Sequence, residues 1–123
     1  MDKIKVLVAN RPRMMRELVL ETISGQPDIE IVGEVGDTAD IERLVAESKP
    51  DFVILTLDEA DRRPIICDGL FARSPATKIL ALAPERNSSL FFWTVVDIRA
   101  ARVESSEEGI LNALRGKIPA VVP

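Results

Sequence analysis

The side chains that most often carry enzyme chemistry are scarce in this sequence. It has no histidine and a single cysteine, Cys67. The chain therefore lacks the usual general base at neutral pH, a Cys/His zinc site and any nucleophile that depends on histidine. The first apolar segment leads into Asn10-Arg11-Pro12-Arg13, which has none of the glycines of a phosphate-binding loop. These absences argue against most hydrolases and against a flavodoxin-like or nucleotide-dependent enzyme, so we expect a protein that is not an enzyme.

Composition narrows the class of protein further. The 123 residues fit one globular domain, with 46% hydrophobic and 29% charged residues. The net charge of −4 argues against direct nucleic-acid binding, which needs clustered cations. No apolar run approaches the roughly 20 residues of a membrane span, and the first residues do not resemble a signal peptide. A lone cysteine fits a reducing compartment, so we expect a cytoplasmic location.

Five apolar segments, each typical of a β-strand, alternate with stretches that favour helices. The predicted strands cover residues 4–9, 29–35, 52–57, 78–83 and 98–103. The first predicted helix has apolar positions that recur at helical spacing, and the second is capped by Asp37 or Thr38. A short third helix follows Pro64. The fourth covers Leu90–Trp93 and is capped by Asn87 or Ser88. The last helix follows Ser105-Ser106-Glu107-Glu108, which matches a capping box. The recurring apolar positions of the first helix are Met14, Met15, Leu18, Val19 and Ile23.

This alternation predicts an α/β fold in which helices cover both faces of a parallel sheet. The first, third and fourth segments are the most continuously apolar, so we place them in the centre of the sheet. The second and fifth segments carry charges and belong at the edges, which gives the strand order 2-1-3-4-5 of flavodoxin-like folds. We assign residues 1–117 to this domain and residues 118–123 to a C-terminal tail.

Several motifs resemble the receiver domain of bacterial response regulators, which belong to the CheY-like superfamily. The most specific is Pro27-Asp28-Ile29-Glu30-Ile31-Val32-Gly33-Glu34, and residues 49–55, 68–70 and 77–80 continue the match. The similarity covers nearly the whole chain and is strongest to the NarL/LuxR-type branch. It implies a three-layer αβα sandwich of the (βα)5 type and a role in two-component phosphorelay signalling. It also implies a DNA-binding output domain, either fused or separate.

The resemblance further implies where the phosphorylation chemistry of the family would lie. Receivers use an acidic pair after the first strand, an acceptor aspartate ending the third, a Thr or Ser ending the fourth and a Lys ending the fifth. In that order, those positions are occupied here by Asn10, Arg11, Thr56, Ala83 and Val103. None of the five keeps the residue type of the family.

We therefore expect a degenerate receiver that binds no Mg²⁺ and accepts no phosphoryl group. Asn10 offers one neutral oxygen, Arg11 brings a positive charge, and the Thr56 hydroxyl has no base to activate it. Arg11 either pairs with Asp58 or Glu59 in the former metal region or points into water. The alternative phospho-acceptor is Asp58, which would replace Thr56 if the register of the match were shifted.

Two functions that do not require phosphorylation follow from these substitutions. The first is an interaction module, because Leu90, Phe91, Phe92 and Trp93 are apolar around most of a helical turn. This cluster predicts a protein partner or a homodimer through the face between the fourth and fifth helices, unless its aromatic rings fill the core instead. The second is a sensor of small anionic ligands that uses the vacated pocket around Asn10, Arg11, Thr56 and Ala83.

Overall fold

The computed structural model describes residues 3–11, 13–57, 63–83, 89–94 and 98–116, with the backbone alone at 38, 89–94, 98 and 99. Within these ranges the strands are β1 (Ile4–Val8), β2 (Ile29–Glu34), β3 (Phe52–Thr56), β4 (Lys78–Leu82), β5 (Ser89–Thr94) and β6 (Ile98–Val103). The helices are α1 (Arg13–Ser24), α2 (Thr38–Ser48), α3 (Ile66–Arg73) and α4 (Glu107–Leu114). No helix in this described part is long and apolar enough to cross a membrane.

The sheet has the order β2-β1-β3-β4-β5-β6, and its first four strands are parallel. The three strands that we predicted at the centre are largely buried, because each consists mainly of apolar residues that are covered on both faces. Val6, Val53 and Ile79, one from each central strand, are completely shielded from solvent. The α/β class and the order 2-1-3-4 are therefore confirmed.

Helices lie on both faces of the sheet and enclose two separate apolar cores. Val19 and Ile23 of α1 share one core with Ile110 and Leu111 of α4. The other core joins residues of α2 and α3 to the opposite face of the strands; its helical members are Ile41, Val45, Cys67, Leu70 and Phe71. Because side chains alternate along a strand, each central strand contributes to both cores. This arrangement is the predicted three-layer αβα sandwich.

The predicted helix over Leu90–Trp93 is wrong. This segment forms β5, which pairs antiparallel with β4 on one side and with β6 on the other. Phe, Trp and Thr lose side-chain freedom in a helix and pack well on a pleated sheet, so a run of these residues favours a strand. The expected fifth strand exists as β6, but β5 separates it from β4 and gives the sheet six strands. The proposed caps Asn87 and Ser88 lie outside the described residues.

The helix starts agree only in part with their predicted capping residues. Asp37 caps α2 as expected, since its carboxylate accepts a 3.0 Å hydrogen bond from the Ala39 N–H. At α4 the capping residue is Ser106, whose hydroxyl accepts a 3.1 Å hydrogen bond from the Gly109 N–H. The predicted capping box would instead have used Ser105 and Glu108. Gly109 occupies the position where a box requires a glutamate, so the reciprocal bond of the box is absent.

An ion pair joins the end of α4 to the turn before β2. The Arg115 guanidinium donates to the Asp28 carboxylate from Nε at 2.8 Å and from Nη2 at 3.0 Å. Its Nη2 also donates to the Gln26 side-chain oxygen at 2.9 Å. These hydrogen bonds from Arg115 hold the pKa of Asp28 below its ordinary value of 3.8, against a smaller opposing effect of burial. The pair therefore stabilises the fold above the ordinary pKa and loses its effect as pH falls through the lowered one.

We expect Asp28→Asn to lower stability modestly near pH 7 and to have no effect in strong acid, where Asp28 is protonated in both the folded and the unfolded wild-type chain. Urea unfolding of both proteins between neutral pH and the acid range measures this difference. In Arg115→Ala, followed by carboxyl NMR, the pKa of Asp28 should return towards 3.8. An unchanged pKa in that variant would show that Arg115 does not cause the shift.

Candidate functional site

The carboxyl ends of β1 and β3 bring three of the predicted site residues together. Asn10 and Arg11 lie two and three residues beyond the end of β1, and Thr56 is the last residue of β3. Asn10 is completely buried. Its Nδ2 donates to the Thr56 hydroxyl at 3.3 Å, and the Arg11 N–H donates to the same hydroxyl at 3.1 Å. In parallel α/β sheets this edge is the usual position of binding sites.

The Thr56 hydroxyl has no hydrogen-bonding capacity left. A hydroxyl can donate one proton and accept two. Thr56 donates its proton to the Arg11 carbonyl at 2.7 Å and accepts from the Arg11 N–H and from the Asn10 amide. Both backbone groups of Arg11 are thus held against the oxygen that occupies the acceptor position of the family. The hydroxyl serves as a structural bridge between β3 and the segment after β1.

One buried acceptor in the site has no partner. Because the only proton of Thr56 is committed to Arg11, Asn10 must present its Nδ2 to Thr56, and this fixes the orientation of the amide. The Oδ1 atom of Asn10 is then buried without a hydrogen-bond partner. Buried polar atoms without partners are rare in folded proteins, so this oxygen marks a place where a water molecule or a ligand could donate.

A second cation at the site was missed by the sequence reasoning. The Arg16 Nη1 donates to the Asn10 carbonyl at 3.2 Å. The guanidinium also lies where a side chain at Gly36 would stand, since a Cβ there would be 2.8 Å from Nη1. The available signal in the sequence was the run of arginines after β1, at positions 11, 13 and 16. Arg16 brings a positive charge beside the backbone of Asn10.

The last two family positions behave differently from each other. Ala83 follows β4 directly, and Leu82 beside it pairs with Thr56, so Ala83 belongs to the same edge of the sheet. It is buried and offers a methyl group in place of a hydroxyl. Val103 ends β6, which lies three strands from β3. With strands about 4.8 Å apart, this places Val103 roughly 14 Å from β3, and its side chain packs in the core beside α4.

Several predicted site residues lie outside the described part of the chain. Asp58 and Glu59 are among them, so neither the pairing with Arg11 nor the alternative phospho-acceptor receives a structural test. The side chains of the Leu90–Trp93 cluster are also outside it. In the residues that are described, no three acidic, histidine or cysteine side chains converge as they would around a metal ion.

The environment of the single cysteine does not favour a reactive thiolate. Cys67 lies on α3 in the core and is completely buried. Removal from water raises the pKa of its thiol to about 12, because burial penalises the thiolate more than the nearby Arg63 favours it. Cys67 therefore acts as a small apolar core residue.

Comparison with known proteins identifies relatives of this chain. The chain is 33% identical over 113 residues to the uncharacterised transcriptional regulatory protein YxjL of Bacillus subtilis. That match covers 92% of this chain and 47% of YxjL. A protein-glutamate methylesterase/protein-glutamine glutaminase of Hydrogenovibrio crunogenus is 38% identical over 58 residues, 47% of this chain and 15% of that protein. The chain thus spans half or less of the length of these relatives. No protein-family model matches it.

Solved structures share the fold. The response regulator domain of CheB from Thermotoga maritima superposes with a TM-score of 0.55 at 24% identity, covering 67% of this chain and 61% of that one. A two-component response regulator of the LuxR family from Aurantimonas gives a TM-score of 0.59 at 21% identity, covering 70% and 62%. The motifs, the strand order and these relatives agree: this chain is a receiver domain of the response-regulator family.

Proposed function

We propose that this receiver domain works without phosphorylation, as a protein-interaction module and not as an enzyme. The observation that carries the proposal is the hydrogen bonding of Thr56, whose hydroxyl is saturated by Asn10 and by the backbone of Arg11. A nucleophile needs a free lone pair and a base to take its proton, and within the described residues Thr56 has neither. The relatives support the receiver assignment but do not bear on this loss.

The charge of the site supports the same proposal. Mg²⁺ requires oxygen ligands, usually with one or two carboxylates, whereas the described residues of this edge present the Asn10 amide and the Arg16 guanidinium. Without the metal, the negative charge of a transferred phosphoryl group would lack one of its usual counterions. We therefore propose that the chain needs no cofactor.

Incubation with Mg²⁺ and acetyl phosphate, followed by intact-mass measurement, tests the proposal. We expect an unchanged mass under conditions in which a conventional receiver domain gains one phosphoryl group. Asp58→Asn and Thr56→Val, treated in parallel, separate the two acceptor positions. A phosphoryl group that is present on the wild type and absent from Asp58→Asn would refute the proposal and identify Asp58 as the acceptor.

The partner is proposed to be another protein that contacts the β5–β6 hairpin. The aromatic cluster Leu90–Trp93 forms β5, and β6 is the last strand of the sheet among the described residues. Aromatic residues near the edge of a sheet suit protein interfaces. Because YxjL is a transcriptional regulator about twice the length of the match, a DNA-binding output domain, fused or separate, belongs to the same proposal.

Substitution of Trp93, the only tryptophan of the chain, tests whether this hairpin contacts the partner. Trp93→Glu should abolish capture of the native partner from a cell extract, whereas Trp93→Phe should retain it. Circular dichroism of both variants shows whether they are folded. Equal capture by the wild type and by a folded Trp93→Glu variant would exclude the hairpin as the contact.

A second candidate function is sensing of a small anionic ligand in the vacated site. Two observations favour it: Asn10 Oδ1 is buried without a hydrogen-bond partner among the described residues, and the Arg16 guanidinium contacts the Asn10 backbone carbonyl. Together these groups suit a ligand that carries both a hydrogen-bond donor and a negative charge. A thermal-shift screen with phosphorylated metabolites and nucleotides tests it, with Arg16→Gln as the control variant. Stabilisation of the wild type but not of Arg16→Gln would support this function. If none of the compounds stabilises the wild type, this candidate function is excluded.

A further inference from the structure

Helix α1 exposes an apolar stripe that the core does not use. Of the five apolar positions of its predicted helical pattern, Val19 and Ile23 are buried. Met14 and Leu18 instead remain 72% and 54% exposed, and they are two of the three large apolar side chains that are exposed in the described part of the chain. Four residues apart on a helix, they lie one above the other and form a continuous surface.

The charges around this stripe are ordered along the helix axis. Arg13 lies at the start of α1, and Glu17 and Glu21 lie further along; all three are exposed. No acidic residue occupies the first turn and no basic residue the last, so this order is opposite to the one that the helix dipole favours. The order of these charges is therefore unfavourable with respect to the dipole of α1.

We propose that α1 pairs antiparallel with the α1 of a second copy of this chain. Arg13 and Glu21 are eight residues apart, about 12 Å along the axis. In an antiparallel pair centred near Glu17, Arg13 of each copy faces Glu21 of the other, and the two Met14–Leu18 stripes meet between these ion pairs. A two-fold axis generates both contacts from one surface, as symmetric dimers require. The reversed charge order of the single helix becomes complementary charge in the pair.

The remaining charge near the axis is already compensated within each copy. Glu17 accepts a hydrogen bond from the Arg13 Nε at 2.9 Å. This pair lowers the repulsion between the two Glu17 side chains that approach each other across the axis. Glu21, in contrast, forms no ion pair with any residue in the described ranges and is available to a partner. The inference goes beyond the proposed function, because it specifies a self-association surface that does not depend on the state of Thr56.

Charge reversal at two positions tests the pairing sharply. We expect the wild-type chain to self-associate in sedimentation velocity experiments over a concentration series. Arg13→Glu and Glu21→Arg, each alone, place like charges opposite each other and should weaken association more than about tenfold. An equimolar mixture of the two variants should regain it, because each heterodimer then holds two opposite pairs. Ile65→Ala, at an exposed apolar residue on another element, is the matched control and should behave as the wild type.

Three results would overturn the inference. A wild-type chain that stays monomeric at the highest concentration would do so, as would association that neither charge reversal weakens. The third is a mixture that remains as weak as its two components. If Trp93→Glu abolishes association while both α1 variants retain it, the dimer forms through the β5–β6 hairpin instead. The intact-mass experiment on phosphorylation is independent of all these outcomes, so the two proposals can fail separately.

Discussion

Thr56→Val should destabilise the domain by about 2–3 kcal/mol although it preserves the shape of the side chain. The substitution removes three hydrogen bonds at once, to the Arg11 carbonyl, the Arg11 N–H and the Asn10 amide. A typical hydrogen bond contributes about 0.5–1.5 kcal/mol, and a buried donor left without a partner costs about 1–3 kcal/mol. Asn10 is completely buried, so water cannot easily replace Thr56 as its acceptor.

Thr56→Ser is the matched control for this prediction, because it keeps the hydroxyl and loses only a methyl group. We expect it to cost about 1 kcal/mol, the loss of one partly buried methyl. Urea unfolding of the three proteins at pH 7 measures the difference. If Thr56→Val and Thr56→Ser are equally stable, the hydroxyl is not the bridge between β3 and the Asn10–Arg11 segment. The proposal that this domain works without phosphorylation then loses its structural support.

The second large effect is expected at Gly109. A Cβ at this position would collide with the backbone carbonyl oxygen of Glu104 and would lie 2.9 Å from its carbonyl carbon. Backbone atoms cannot rotate away as a long side chain can, so the turn that leads into α4 must shift. The same turn carries the Ser106 cap on the Gly109 N–H. We expect Gly109→Ala to destabilise the domain by about 2–3 kcal/mol.

Alanine is otherwise a better helix former than glycine, so this prediction opposes the intrinsic preference of the helix. Gly25→Ala provides the comparison, because a Cβ at Gly25 would meet nothing within 4 Å. We expect that variant to stay within about 0.5 kcal/mol of the wild type. Thermal unfolding of both variants measures this difference in stability. A Gly109→Ala domain as stable as the wild type would contradict the close approach of Gly109 to the Glu104 backbone.

The sequence predicts those parts of the fold in which local pattern and burial agree. The strands β1, β3 and β4 read as continuous apolar runs, and burial on both faces of a parallel sheet leaves such runs no other position. The grouping of Asn10, Arg11 and Thr56 follows from the same order, since parallel neighbours end at one edge. The hydrogen bonds among these three residues cannot be predicted from the sequence, because only the folded geometry determines which group receives the Thr56 hydroxyl proton.

The errors occur where the pattern supports two structures. Leu90–Trp93 is dense in large apolar residues, which fits a buried helix or a strand, and the alternation of strands and helices favoured the helix. Backbone pairing with β4 and β6 shows that this segment is a strand, β5. That error also moves Val103 away from the site, because its strand lies one position further along the sheet than expected. Gly109 could not be predicted either, since its contact with Glu104 arises only from the path of the chain.

We propose that this receiver domain has lost its metal and phosphoryl site, and NMR tests this loss most directly. Amide spectra of the ¹⁵N-labelled chain would be recorded without addition, with Mg²⁺, and with Mg²⁺ and beryllofluoride, which mimics a phosphoryl group on an aspartate. We expect no change at the amides of Asn10, Arg11, Thr56 and Ala83 in either addition. Saturable shifts at these four amides with Mg²⁺ and beryllofluoride together would contradict the claim and show a working phosphorylation site.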